Sequence, residues 1–224
     1  MKETDALTAI RLAKNAEKAA EGLLKTVLGP PADELGQLLK EKVSARRYQN
    51  LVKIAANAKE QLDSAGLSPK EVPLAIIHPL LEIASLEEDE SLQKRWAALL
   101  ANVSLSDSET LRCFADILKQ LTSVEARFLD KAYDERFQSP RQPDRMAPPK
   151  KYPVLENTLA LLRTSMIANL ERLGLITRQS HDHTDFTSSF GTVVTATSNR
   201  LYVSDLGMEF IQACRPLASQ KSLR

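Results

Sequence analysis

The chain has 224 residues, 43% of them apolar and 26% charged, which is enough apolar material for a packed core and excludes wholesale disorder. Its 7 glycines and 5% aromatic residues are too few for an all-β barrel or sandwich, which needs many turns and β-formers. Lysine and arginine number 30 against 29 acidic residues, so a net charge of +1 supplies no global field toward nucleic acid or an anionic membrane.

The first ~120 residues read as helix. Leu7, Ile10, Ala13, Ala20, Leu23, Leu24, Val27 and Leu28 recur at helical spacing, with Lys14, Lys18 and Lys25 outside the stripe. Gly29-Pro30-Pro31 ends that helix, because proline cannot supply the next backbone donor. A second helix is expected from Ala32 to Ser64, with Gly66 as its stop, giving an αα-hairpin over 1–66. Leu74 to Ile83 is apolar on most sides and reads as a helix in the middle of a bundle. Ser85 with Glu88 forms a capping box, and the acids Glu87 to Glu90 suit the positive end of the next helix, which buries Leu92, Trp96, Leu99, Leu100 and Val103. A further helix carries Leu111, Phe114, Ala115 and Leu118.

The pattern changes after Leu121. Thr122 and Glu125 form a second capping box before Phe128, Leu129 and Ala132. Gln138 to Pro153 holds five prolines with Arg141, Arg145, Lys150 and Lys151, an extended basic loop. Leu155, Leu159, Leu162, Met166, Leu170 and Leu173 predict one continuous helix closed by Gly174. Strands are expected at Leu175 to Arg178, Thr192 to Thr195 and Leu201 to Val203, and Ser204 caps a last helix that stops at Pro216. Helices, strands and helix in that order are those of a winged helix, but the tight turn and separate second helix of a DNA reader are missing from this pattern. The expected fold is mainly α: a helical domain over 1–120 (hairpin 1–66, bundle 67–120), a winged-helix-like domain with a small β-wing over 121–217, and a disordered tail at 218–224.

Cys113 and Cys214 belong to no C-x-x-C pair and read as reduced packing residues on apolar helix faces. Met1 to Lys25 lacks the apolar run of a secretory leader, and Val72 to Ala84 is too short and interrupted to span a bilayer. A cytoplasmic protein is expected.

Three blocks carry a resemblance to a known family. They are Gly29 to Gly36 running into Arg46-Arg47-Tyr48-Gln49-Asn50-Leu51; Pro79 to Gln93 continuing to Trp96-Ala97-Ala98-Leu99-Leu100-Ala101-Asn102; and Phe114 to Leu121 followed by Asn169-Leu170-Glu171-Arg172-Leu173-Gly174-Leu175-Ile176. In these the chain resembles the abortive infection alpha family of prokaryotic proteins. The resemblance implies a role in phage resistance and a helical domain with a winged-helix-like C-terminal part. It implies no reaction.

Few residues suggest chemistry. G-x-S-x-G, Walker A and G-x-G-x-x-G are absent from the sequence, so no enzyme activity and no cofactor are expected. The acids Glu87 to Glu90 are accounted for by the helix end. Trp96 falls on the apolar face as a core residue or, alternatively, a partner anchor. His78, between Ile77 and Pro79, reads as a core histidine bonded to a carbonyl. His181, His183 and Asp185 have ligand chemistry for zinc, but in a polar Ser/Thr-rich loop that supplies no rigid support, so they are a weak metal candidate. Arg46, Arg47 and Tyr48 suit a phosphate or an acidic partner, against the plainer reading of a solvated helix face. Duplex contacts, if made, fall to Lys150, Lys151, Arg163, Arg172 and Arg178 with Arg141 and Arg145.

The expectation is therefore a bacterial antiphage protein acting as a non-enzymatic interaction or switch module. Its N-terminal helices are expected to self-associate into a homo-oligomer, and a phage or host protein is a further candidate partner. A winged-helix DNA-binding regulator is the alternative, with nucleic acid not favoured. A membrane-active toxin is the weaker one, since no long apolar span exists.

Overall fold

The computed structural model describes residues 2–29, 44–105, 110–138, 152–153, 162–185 and 194–217. It is mainly helical with a small antiparallel sheet. The chain divides into two compact units, Met1–Ser123 with Gln212–Arg224, and Val124–Ile211. The expected second domain had kept the residues after Ile211; they group with the first unit instead, where the Asn102 side-chain amide donates to the Ala213 carbonyl at 2.9 Å. The expected tail at 218–224 lies outside the described residues.

The first unit contains α1 (Lys2–Leu28), α2 (Ala45–Ala65), α3 (Leu74–Ala84), α4 (Glu90–Val103) and α5 (Thr110–Leu118). α1 and α4 pack on α2. Leu51, Ile54, Ala55, Ala58 and Leu62 of α2 are buried at i, i+3, i+4, i+7 spacing, against Ala20, Leu23 and Val27 of α1 and the buried face of α4. The central helix is α4 and not α3 as the sequence suggested. Nine of the 14 residues of α4 are buried against four of the 11 in α3, because Ala97, Ala98 and Ala101 let neighbours approach α4 from several sides. Trp96 is core. The connection from α2 to α3 is held in its second half: Lys70 N–H donates to the Ser104 carbonyl (2.8 Å) and Val72 N–H to the Val27 carbonyl (2.9 Å). Both bonds satisfy carbonyls that helix ends leave open.

Two starts differ from the sequence reading. The helix expected from Ala32 to Ser64 does not run through Ser44. That residue has ψ 149° and its hydroxyl accepts from Arg47 N–H, so it is an N-cap and the helix begins at Ala45; residues 32–43 lie outside the described residues. The Ser85–Glu88 capping box is not formed either. Ser85 closes α3, and Asp89 caps α4 by accepting from Ser91 N–H (2.8 Å) and Leu92 N–H (3.1 Å).

The second unit follows α6 (Ser123–Gln138) with β1 (Tyr152–Pro153), α7 (Thr164–Arg172), β2 (Ile176–Asp185), β3 (Val194–Val203) and α8 (Asp205–Ala213). The sheet order is β1-β3-β2, all antiparallel, with Tyr152 opposite Val203 and Ile176 also opposite Val203 on the other side. Tyr152 and Pro153 were expected in the basic loop. They form an edge strand, the position in a sheet that tolerates proline; residues 139–151 lie outside the described residues. Phe128, Leu129 and Ala132 of α6 are buried as expected. The continuous helix from Leu155 to Leu173 is contradicted. Arg163 is extended (φ −79°, ψ 156°) and stands as the N-cap of a nine-residue helix. A leucine period is compatible with two helices as well as with one, since it records which side is apolar and not whether the backbone breaks. Residues 154–161 lie outside the described residues.

Two glycines fix the end of α7 against the start of α8. Gly174 has φ +73°, with its N–H on the Glu171 carbonyl (3.0 Å) and the Leu175 N–H on the Leu170 carbonyl (3.0 Å), a Schellman closure. Ser204 then ties both segments. Its N–H donates to the Leu175 carbonyl, its hydroxyl donates to the Gly174 carbonyl, and the same oxygen accepts from Gly207 N–H as helix cap. Gly207 packs so closely that a Cβ there would lie 2.2 Å from the Leu175 carbonyl oxygen. Gly207→Ala is therefore expected to destabilise the second unit by about 2 kcal/mol, in the range of overpacking costs. Denaturant titration of the variant tests this, and an unchanged midpoint would exclude the contact as a constraint.

Candidate functional site

Arg46, Arg47 and Tyr48 sit in the first turn of α2, placed there by the Ser44 cap. Each is engaged within the first unit. The Arg46 guanidinium meets Glu88 Oε2 at 2.7 Å, an exposed pair. Arg47 Nε donates to Ser85 Oγ (2.8 Å) and its second terminal nitrogen to the Glu82 carbonyl (3.2 Å). Tyr48 donates its hydroxyl to Glu17 Oε1 of α1 at 3.1 Å. Partial burial first, then the Glu17 hydrogen bond and charge, raise the Tyr48 phenol above its ordinary range. The cluster that looked most like a ligand site thus joins α2 to α1 and to the turn between α3 and α4.

That turn holds a buried polar chain which local sequence pattern did not reveal. Asn50 donates to the Ser85 carbonyl (3.1 Å), and Gln93 donates to Asn50 Oδ1 (3.2 Å) and to the Glu87 carbonyl (2.8 Å). Asn50, Ser85 and Gln93 are all buried. The partners lie 35 and 43 residues apart in the sequence, beyond any helical or strand period. The only local signal was polar residues at inward helical positions.

Other sequence candidates separate. His78 is exposed, so the core-histidine reading is wrong: with Ile77, Leu80, Leu81 and Ala84 inward, residue 78 falls on the outer side at ~100° per residue. Cys214 is buried as expected, but Cys113 is exposed. His181, His183 and Asp185 lie on strand β2, not in a loop, with Ser198, Ala196 and Val194 as their pairing partners on β3. Arg163 and Arg172 bracket α7 and are exposed. Arg172 donates to Asn169 Oδ1, and Arg178 on β2 makes a bidentate pair with Glu171 at 3.1 and 3.4 Å. Asn169 also donates to the buried Glu125 of α6 at 2.9 Å, fixing α7 on α6. Arg141, Arg145, Lys150 and Lys151 lie outside the described residues.

A concavity in the first unit lies between α3 and α5. It encloses about 280 Å³, and its wall is mostly apolar: Ala75, Ile76, Pro79 and Ile83 from α3, Leu111 from α5, with Arg112 and Asp116 as charged residues. α3 therefore has two apolar sides, one in the core and one on this groove, which is why its sequence looked apolar all round. No helix among the described residues is long and apolar enough to cross a membrane.

A helical unit with a polar-locked turn and an open apolar groove, followed by a unit of three antiparallel strands with helices, defines a small two-unit helical protein. Residues 45–214, about three quarters of the chain, match the family described as abortive infection alpha, and the chain belongs to that family. No curated protein and no solved structure matches it.

Two outcomes test the turn. Arg47→Ala removes two hydrogen bonds around buried Ser85 and should cost about 1–2 kcal/mol, whereas Arg46→Ala breaks an exposed pair and should cost at most about 1; chemical denaturation that ranks them the other way would refute the assignment. The second concerns Asp89, whose carboxyl is held below its ordinary value by hydrogen bonds from the Ser91 hydroxyl and the Leu92 and Ser91 N–H groups. A lowered folded-state value means the contribution is present above the ordinary carboxylate range and is lost as pH falls below that range through the folded value. Asp89→Asn keeps a cap oxygen but removes the titration, so the stability gap between wild type and variant should narrow in that acid window and stay constant above pH 6.

Proposed function

We propose that the chain is an antiphage protein of the abortive-infection type that acts as a non-enzymatic interaction or switch module. The observation that carries this is the family match over residues 45–214. In this reading the helical unit self-associates and the second unit offers a contact surface to a phage or host protein in the bacterial cytoplasm. The winged-helix-like form of that second unit is supported by its order, helix, short strand, helix and two long strands, and by the sheet order β1-β3-β2. A plaque assay with and without the gene, across a panel of phages and paired with infected-cell survival, is the test. Fewer plaques together with loss of the infected cells is the expected result. Unchanged plaque numbers would overturn the defence role, and plaque loss with surviving cells would overturn the abortive mode.

A DNA-binding regulator is the second reading, and one observation favours it. α7 opens anew at Arg163 and exposes Thr164, Ser165, Ala168 and Arg172, small and cationic residues along one side of the helix before the hairpin. Against it, residues 121–224 carry 14 basic and 11 acidic residues, net +3, a weak field for a duplex reader. The full chain is expected to form no sequence-selective complex with duplex DNA. A tight complex that weakens steeply with salt and is lost in Arg163→Ala/Arg172→Ala would place the regulator first.

A further inference from the structure

The outer side of α1 carries its charges in a sorted order. At about 100° per residue, Arg11, Lys14, Lys18, Gly22 and Lys25 fall within one arc of about 80°, opposite the buried Ala20, Leu23 and Val27. All five are exposed, and the row from Arg11 to Lys25 is about 21 Å long. The acids of this stretch stand to one side of the row, toward α2. Glu17 accepts from the Tyr48 hydroxyl at 3.1 Å, and the charge of Glu21 acts on the same phenol. Among the described residues, Arg11, Lys14 and Lys18 have no ion-pair partner. The row is a strip of positive charge on a chain whose net charge is only +1.

Gly22 lies within this strip. Glycine weakens a helix interior relative to alanine, because it loses more backbone freedom and packs nothing. Nothing inside the chain asks for it here: a Cβ at Gly22 would meet nothing within 4 Å, and its φ is not positive. A bare backbone with Lys18 one turn before it and Lys25 one turn after lets an anionic chain lie directly on the helix, with a cation at each side. From Arg11 to Lys25 the strip presents no apolar or aromatic side chain, only the four cations and Gly22, with Asn15 and Glu21 at its margins.

We propose that this strip seats the phosphodiester backbone of nucleic acid, without regard to base sequence. Lysine and arginine contacts to phosphates hold a protein on nucleic acid without reading its bases, and they need no apolar contact. A protein partner fits less well, because protein interfaces place an apolar or aromatic anchor at their centre and this strip has none. A lipid surface takes up the apolar side of a helix, and in α1 that side is buried at Ala20, Leu23 and Val27. The contact goes beyond the protein-interaction reading, does not depend on it, and does not use α7.

Fluorescence anisotropy of the full chain with a short labelled DNA duplex of arbitrary sequence tests this. Binding in the micromolar range is expected, equal for a second, unrelated sequence. It should weaken about 100-fold between about 50 and 200 mM salt, since about four neutralised phosphates give log affinity a slope of about −3.6 against log salt. Lys14→Gln/Lys18→Gln should weaken binding about tenfold at low salt and reduce the slope to about −1.8, and Lys14→Arg/Lys18→Arg should restore both. Gly22→Gln, at an open helix position, should leave the circular-dichroism melt unchanged or raised and still weaken binding several-fold. No binding at low salt would overturn the proposal. So would a complex that survives Lys14→Gln/Lys18→Gln and is lost in Arg163→Ala/Arg172→Ala, which would move the contact to α7. Binding untouched by Gly22→Gln would overturn the seating on the bare backbone. Polyglutamate or phosphatidylglycerol vesicles held as tightly as the duplex would overturn nucleic acid as the partner.

Discussion

The first unit depends on one buried polar chain, Gln93 to Asn50 to the Ser85 carbonyl, with Arg47 on the Ser85 hydroxyl. A buried amide left without partners costs on the order of 1–3 kcal/mol, so these groups tolerate few alternative arrangements. Apolar contacts between α2 and α4 can slide by a turn at modest cost, whereas the amide pairing cannot. The chain therefore sets the register of α2 against α4 and holds the end of α3 beside both. The Arg46–Glu88 and Tyr48–Glu17 contacts lie outside this chain, on more exposed ground, and add less.

With α3 tethered at its C-terminal end, its outer side is left to face α5 across an open groove. An eleven-residue helix with two apolar sides cannot bury both within so small a unit once α4 has taken the central place. Its surplus apolar surface stays on the α3–α5 groove. α1 is likewise longer than the surface available to cover it.

The second unit rests on a different kind of constraint, close backbone approach. Ser204 bonds both to the turn that ends α7 and to the first turn of α8, and Gly207 has no side chain to hold them apart. The Asn169–Glu125 bond and the Arg178–Glu171 pair then settle α7 between α6 and β2. The small exposed residues Thr164, Ser165 and Ala168 are left as the outer side of α7.

Much of this was legible in the sequence for local reasons. Helical periods gave α1, α2 apart from its start, α3, α4, α5 and α6. Gly66 and Gly174 marked ends because a left-handed φ favours glycine, and Ser204 marked a cap because its hydroxyl replaces a missing backbone partner. The three blocks that carry the family resemblance are likewise contiguous stretches of sequence. Tertiary structure decided the rest. Which helix is central depended on how alanines of α4 meet neighbours from several sides, and a single helix's pattern does not contain its neighbours. The edge strand at Tyr152 depended on pairing with Val203, about 50 positions away. The role of Arg46, Arg47 and Tyr48 turned on where Glu88, Ser85 and Glu17 arrive in space. Sequence sets the side chain's chemistry, and only the fold determines which partner uses it.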